Sequence, residues 1–549
     1  MSFDKFTQTA EAILTVGSSL AKRELAANYF KDLDTDDLYL AALFLSGEPF
    51  PISDGRTINI GNATYRDAIL AIFPDMSADD FATTFNKFSD VGITLQHILE
   101  QKRQTADQGV TLREVGELYT KLAETSGSIA KRTVMAEFLG RLNHVQAKYL
   151  QKITSGDLRI GFKEGNVENA LAKAFDRKLD LIRLANMKTG NMGRVAVYAK
   201  EDRLLEAEFT LFHPIKVMLA TAEATSDGIV ERFSKEKRAI SVEDKYDGMR
   251  CHLHHQDGRI ELYTRDLNNV SISFPEVATL RFENTLLLDG EIVGLRGDKV
   301  VPFYEFQQRL GRKEVVAGMF DTFQIKYMVY DILYLDGKLL IDEPLSKRRE
   351  LIRSLKLPEA AMISPARDVE TAEDIEREFK LAKATRGNEG LMIKDPASKY
   401  TVGKRGYDWI KYKKALEPFD VVVVAAEQGH GKKNEYLSDL TFAVWNKDKT
   451  ELVTLGKVFS GLKDSDIVTL TEWFKANTIS SEGRVYQVKP EVILEVAYEN
   501  IQESDRNESG YALRFPRIKA IRTDKPLDEI NTIEDVKHIY EEFCKGGME

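Results

Sequence analysis

The sequence predicts a multi-domain chain: an all-α N-terminal part, an α+β middle and a small C-terminal β-barrel. Three changes of texture carry that expectation. Residues 1–205 place apolar residues at helical spacing with few β-branched runs, as in "LAKRELAANYFKDL" and "VENALAKAFDRKLDLIRLA". Residues 206–416 bring short alternating runs such as "IELYTRD", "TLLLDGEIVGL" and "KYMVYDILYLDGK", with helical stretches between them. Residues 417–549 open on evenly spaced strands joined by Gly- and Lys-rich turns, as in "DVVVVAAEQGHGKKN" and "LVTLGKVFSG", and close on the helical "IEDVKHIYEEF".

The helical part carries a repeat. "GSSLAKRELAANYF" loosely matches "GSIAKRTVMAEFL", and Leu20 to Ile129 and Ser46-Gly47 to Ser155-Gly156 keep the same offset of 109 residues. A period this long predicts two related half-domains rather than a solenoid. Composition is that of a water-soluble chain: 549 residues, 43% hydrophobic, 30% charged. "LYLAALFL" and "VVVVAA" are too short to cross a bilayer, and "MSFDKFTQTAEAIL" lacks the basic head and apolar run of a secretory signal. Two cysteines, Cys251 and Cys544, cannot make a four-thiolate zinc site or a disulfide framework, so a reducing cytoplasm is expected. A net charge of −10 argues against a whole-surface nucleic-acid binder but leaves room for a local basic groove.

Chemistry concentrates in the middle part. "EDKYDGMR" sets Lys245, Asp247, Gly248 and Arg250 at the head of an alternating strand. The bland reading is a hairpin turn at Asp247-Gly248; the sharper one is a lysine nucleophile at a strand end. Lys-x-Asp-Gly alone is weak, since about one chain of this length in ten carries it by chance. Its companions are Glu291 in "LLLDGEI", Glu389 and Lys394 in "EGLMIK", and Lys411 and Lys413 in "WIKYKK". Together they offer a nucleophile, acidic metal ligands and a cation cluster, although each also suits a solvated strand face.

Taken in order, these segments resemble the nucleotidyltransferase motifs of ATP-dependent DNA ligases of the archaeal and eukaryotic replicative type. "PIKVMLA" resembles the entry to the adenylation domain, "EDKYDGMR" motif I, "YTRD" motif Ia, "LLLDGEI" and "YDILYLDG" motifs III and IIIa, "EGLMIK" motif IV and "WIKYKK" motif V. "ALRFPRIKAIRTDK" is similar to the closing motif VI, and "GDLRIGFKEGNVENALAKAF" to a segment of the helical DNA-binding domain. Tyr330 stands where phenylalanine is common, and a phenol stacks equally well; Asp266 follows Arg265 where asparagine is commoner.

The resemblance implies a helical DNA-binding domain, a nucleotidyltransferase domain and an OB-fold. It also implies sealing of nicks in duplex DNA through a lysine–AMP adduct on Lys245 and a 5′-adenylated strand. ATP is then the AMP donor and Mg²⁺ the metal, with Glu291 and Glu389 as its ligands. Glu243, Arg250, Arg265, Glu291, Tyr330, Lys394, Arg405, Lys411, Lys413, Arg522 and Lys525 are the expected nucleotide contacts. Lys394, Lys411 and Lys413 are expected to surround Lys245 and lower its pKa. Duplex contacts are expected from Lys131, Arg132, Arg159 and Lys163, with Lys432 and Lys433 as candidates in a Gly-bounded turn of the barrel. A monomer is expected, and no clamp-binding peptide is recognisable. An RNA ligase or capping-type nucleotidyltransferase shares Lys-x-Asp-Gly but does not typically need a duplicated helical domain. An inactive DNA-binding scaffold would not need Lys245, and an NAD-dependent ligase usually carries the zinc site that two cysteines cannot build.

Overall fold

The computed structural model describes residues 1–102, 108–306, 309–310, 323–413, 416–429 and 435–541. The N-terminal part holds α1 (Phe3–Thr15), α2 (Ser19–Lys31), α3 (Thr35–Ser46), α4 (Asn62–Ile72), α5 (Ala78–Phe88) and α6 (Val91–Gln101). A second set follows: α7 (Leu112–Glu124), α8 (Ser128–Leu139), α9 (His144–Thr154), α10 (Glu164–Ala174), α11 (Leu179–Thr189) and α12 (Met192–Glu201). Side-chain caps set many of their starts; Ser18 and Asn143, for example, accept from Ala21 and Gln146 backbone N–H groups. The repeat is therefore a duplication of six helices. Phe3 and Leu112, Ser19 and Ser128, and Thr35 and His144 open corresponding helices 109 residues apart. The connection after the third helix is shorter in the second half, which reduces the offset for the rest.

The halves pack crosswise: α2 lies on α10 and α4 on α8, while α3 lies on α12 and α6 on α9. One apolar core, from Phe3 to Ala207, runs through both. Two buried lysines repeat the crossing, for Lys22 donates to the carbonyl of Ile160 and Lys131 to that of Ile58.

The middle part is two sheets. The first contains β1 (Leu219–Glu223), β2 (Ile240–Lys245), β10 (Ala366–Val369), β11 (Gly390–Lys394) and β12 (Arg405–Tyr412), in the order β1-β12-β11-β2-β10. The second contains β3 (Met249–Gln256), β4 (Arg259–Thr264), β5 (Leu286–Arg296), β7 (Gln324–Leu335) and β8 (Lys338–Leu339), in the order β4-β3-β5-β7-β8. Strand β6 (Lys299–Val301) pairs with β5 and β9 (Ala361–Ile363) with β7. All pairings here are antiparallel except β1 with β12 and β7 with β9.

Period-two alternation divides each sheet's faces. Ile240, Val242, Leu391, Ile393 and Ile410 pack under α13 (Ser226–Lys235) and α17 (Ala372–Ala384). Cys251, Leu253, Leu288 and Val329 pack with α14 (Pro275–Ala278) and α16 (Leu345–Ser354). The remaining faces look at each other across the gap between the sheets. A short helix α15 (Phe303–Phe306) follows β6.

The hairpin reading of Asp247-Gly248 needs correction. Strand β2 pairs with β10 and β11, β3 with β4 and β5, so the chain at 246–248 crosses from one sheet to the other. Glycine is required at 248 because a Cβ there would stand 2.4 Å from the Ile292 carbonyl oxygen.

The C-terminal part is an antiparallel sheet of β13 (Phe419–Gln428), β14 (Leu437–Trp445), β15 (Leu452–Val458), β16 (Thr478–Glu482), β17 (Val485–Val488), β18 (Ile493–Ala497) and β21 (Arg517–Ile521). Strand β13 pairs with β14 along one edge and, along the other, first with β18 and then with β17. A separate ribbon, β19 (Asn500–Glu503) with β20 (Tyr511–Arg514), and helices α18 (Asp464–Ala476) and α19 (Ile533–Ile539) complete it. Among the described residues no helix is long and apolar enough to cross a membrane.

Candidate active site

Strand β2 ends at Lys245, and the face that carries Glu243 and Lys245 turns toward the second sheet. Lys245 is ion-paired with Glu389, the residue just before β11, whose backbone N–H donates to the Lys245 carbonyl at 2.8 Å. Glu389 also pairs with Lys413 at 3.2 Å. Glu291 faces them from β5, in register with Arg250 on β3. Asp247 accepts from the Phe303 backbone at 3.1 Å.

The electrostatics reverse one expectation. Burial alone would lower the Lys245 pKa, but Glu389, followed by Glu291 and Asp247, holds it above the ordinary value. Carboxylates, not cations, therefore dominate around the amine. Lys394 is also not beside it: Lys394 pairs in register with Ser241, Gly390 with Lys245, which puts Lys394 four residues along the strand, roughly 13 Å away. Lys411 is lowered by burial and then by Lys413, which shows where the cations do crowd. Burial would raise Glu389, but Lys245 and Lys413 hold it below the usual range. Glu291, half-buried and without such a direct partner, is pushed up by desolvation to about 8.

Deeper in the gap, Lys394 donates to Glu243 at 3.0 Å and is buried with it. Burial, then Arg349, lowers Lys394 well below the usual lysine range. Arg349 of α16 pairs with the same Glu243, and Ser364 donates to it at 3.3 Å. The Lys394 ammonium lies 4.5 Å from the Tyr330 ring centre and 4.2 Å from that of Trp409, so one face of Tyr330 is already covered. Arg250 makes a two-point ion pair with buried Asp289, at 3.1 and 2.6 Å, and donates to the Met218 carbonyl. Tyr400 donates to Asp289 at 2.7 Å.

Other expected residues lie further out. Arg265 is exposed in the turn after β4, and Arg405 is exposed at the start of β12, where it donates to the Ala220 carbonyl. Arg522 and Lys525 are held within the C-terminal part by Asp420, with Asp524 also on Arg522. Among the described residues, the ion pairs that reach the middle part from there are Arg514 with Asp247 at 3.5 Å and Glu499 with Lys413 at 3.3 Å.

In the helical part, Lys131 is corrected: its ammonium is buried on the Ile58 carbonyl and is not offered to a ligand. Arg132 is exposed, Arg159 pairs with Asp90 and Lys163 with Asp157, both with exposed side chains. Lys432 and Lys433 lie outside the described residues. Sequence reasoning passed over Trp409, Tyr400 and Asp289. Trp409 was within reach, since it shares the period-two face of Lys411 and Lys413.

Three DNA ligase families match in order: the DNA ligase N terminus over residues 2–206, the ATP dependent DNA ligase domain over 217–413 and the ATP dependent DNA ligase C-terminal region over 433–525. A probable DNA ligase of Koribacter versatilis is 37% identical across 97% of this chain and 96% of its own length. The chain belongs to the ATP-dependent DNA ligase family. The DNA ligase of Archaeoglobus fulgidus is similar at 32% identity over 98% of each chain. The solved structure of Pmar-Lig_PreS3 shares the fold of the ligase at a TM-score of 0.57, with 16% identity over 94% of this chain and 99% of that one. The three-part architecture is thus that of an ATP-dependent DNA ligase, an enzyme that joins DNA strands by phosphodiester bonds.

Proposed function

We propose that Lys245 is the residue that takes up AMP, and the observation that carries this is its place among Glu389, Glu291 and Asp247 at a strand end. Nζ attacks the α-phosphorus of ATP, a P–N bond forms, the bond to the bridging oxygen breaks, and pyrophosphate leaves with that electron pair. The ammonium must first lose a proton, and Glu389, which is ion-paired to it, holds that proton in place until the carboxylate's charge is taken up by another cation. AMP then passes to the 5′-phosphate at a nick, and the 3′-hydroxyl displaces it to seal the strand. Tyr330, Trp409 and Glu243 form the inner wall suited to a base, while Lys411, Lys413 and the outer Arg265 and Arg405 supply positive charge for phosphates.

The donor set fits a hard divalent cation. Glu291 and Glu389 are oxygen ligands facing one amine, and Glu291 has no hydrogen-bonded partner among the described residues. Among the described residues no group of three or more such side chains forms a complete cage, which suits Mg²⁺, an ion that takes its remaining ligands from phosphate and water. When bound, it would neutralise charge on the phosphate oxygens.

We read residues 1–205 as the duplex-binding domain, 206–416 as the adenylation domain and 417–549 as an OB-type barrel. The enzyme is taken to act as a cytoplasmic monomer. The test is incubation with α-labelled ATP and then with nicked duplex. Lys245→Ala should form no covalent adduct, and Lys245→Arg should fail as well because guanidinium stays protonated. A normal yield of adduct on Lys245→Ala would sink the assignment.

A further inference from the structure

Asp244 stands between Glu243 and Lys245 but points away from the nucleotide gap, as alternation along β2 requires. It is 5% exposed and accepts four hydrogen bonds. Arg386 donates two, at 2.6 and 2.8 Å; Asn388, itself 3% exposed, donates one at 3.0 Å, and Arg367 one at 3.2 Å. Arg386 and Asn388 bracket Gly387, at the turn that leads from α17 into Glu389 and β11. That turn has little freedom to reshape. Gly387 has φ +73°, and a Cβ there would stand 2.7 Å from the Val300 carbonyl oxygen. The Arg386 carbonyl accepts from Val300 N–H at 3.1 Å, and Asn388 N–H donates to Ala382 at 2.9 Å.

A carboxylate so placed does two things at once. It fixes the ends of the turn, and it does so from the residue covalently next to Lys245. The position of Glu389 is thereby referred to the nucleophile itself.

We propose that Asp244 is a positioning residue which, through Arg386 and Asn388, holds the Glu389 carboxylate in place against Lys245. The proposal rests on the reading of Glu389 as a carboxylate of the active site. Without the clamp the Glu389 side chain must be ordered anew each time the metal–nucleotide complex enters. The loss therefore falls on the metal requirement more than on the maximal rate. Groups that orient a ligand from behind typically cost about 10–100-fold in metal affinity or activity when removed.

The experiment uses the full-length enzyme with Asp244→Asn, which keeps the volume and removes the charge, and Arg386→Lys, which keeps a cation on Asp244. Single-turnover self-adenylation is measured across a Mg²⁺ series, and hydrogen exchange is followed without metal or nucleotide. For Asp244→Asn we expect the Mg²⁺ concentration at half-maximal rate to rise about tenfold or more, and the rate at saturating Mg²⁺ to stay within about threefold of wild type. Arg386→Lys should fall between the two. Exchange should rise in the peptide spanning 385–391 and stay unchanged in β5. An unchanged Mg²⁺ dependence overturns the proposal, as does an equal loss at every Mg²⁺ concentration with exchange rising through both sheets, which is the signature of a purely structural residue. Glu389→Gln separates the two readings. If it adenylates normally, the active-site reading fails and this one with it; if it is slow while Asp244→Asn is normal, only this one fails.

Discussion

As the proposed nucleophile, Lys245 stands as an ammonium beside an ionised Glu389, so its activation depends on what neutralises that carboxylate rather than on neighbouring lysines. The two glutamates then differ in kind. Glu389 is ionised and held by Lys245 and Lys413, whereas Glu291, pushed up to about 8, is largely neutral at pH 7 in the free enzyme. Glu291→Gln replaces a neutral carboxyl by a neutral amide, so the melting temperature at pH 7 should be unchanged or slightly raised. Self-adenylation should nevertheless fall about 100-fold, because the amide cannot carry the charge that a bound cation needs. Glu389→Gln should lower both. Calorimetry at pH 7 beside single-turnover adenylation measures the pair, and a large stability loss in Glu291→Gln would show that its carboxylate is charged and paired. The candidate residues of this site were legible through the motif resemblance, and the two-residue strand period accounts for their sharing a face. Asp244 was not legible: its side chain turns the other way, and its partners Arg386 and Asn388 are distant in the chain and meet it only through the pairing of β2 with β11.

At the scale of elements, the duplicated helices make a pair of equivalent lysines do structural work. Lys22 and Lys131 each close a loop of the opposite half by donating to its carbonyl. Replacing Lys131 by Met leaves the Ile58 carbonyl unpaired and should destabilise the helical domain by about 1–3 kcal/mol. The slope of log DNA affinity against log salt should stay as it was. Arg132→Ala and Lys163→Ala should behave oppositely: stability unaltered and the slope smaller by about 0.9 each if each meets one phosphate. Thermal melts and binding to nicked duplex across a salt series distinguish the two classes. A flatter slope in Lys131→Met would return that lysine to the DNA surface. The helices and the repeat were readable from spacing, since each half keeps the 3.6-residue period and the offset of 109 through its first three helices. The crosswise packing was not, because periodicity tells which face is buried and not which helix covers it. Whether the turn at Asp247-Gly248 closes a hairpin was left open in the sequence for a related reason. Local turn chemistry is the same whether the next strand returns to its own sheet or enters another, and the decisive contact, Gly248 against Ile292, is non-local.

For the whole molecule, the question is how a C-terminal motif that resembles an ATP-acting one can work from outside the nucleotide gap. In the described arrangement Arg522 and Lys525 are occupied by Asp420, and the C-terminal part instead meets the middle part through Arg514 on Asp247 and Glu499 on Lys413. Asp247 and Lys413 both belong to the surroundings of Lys245, so in this arrangement the C-terminal part touches the site at its carboxylate and lysine edge. A second arrangement, with Lys525 brought to the gap, would orient pyrophosphate for departure, and such closing and opening is a known gating motion. Pyrophosphate is present only in the first step. Lys525→Ala should therefore form the adduct slowly, yet seal a nick already carrying AMP on its 5′-phosphate at nearly the normal rate. Arg514→Ala should do the reverse, since the contact it removes belongs to the other arrangement. Self-adenylation and single-turnover sealing of pre-adenylated nicked duplex, measured on both variants, give a two-by-two comparison in which the losses should lie on the diagonal. Equal losses in both steps for either variant would mean that the residue supports the fold or grips DNA throughout, and the two-arrangement account would be wrong.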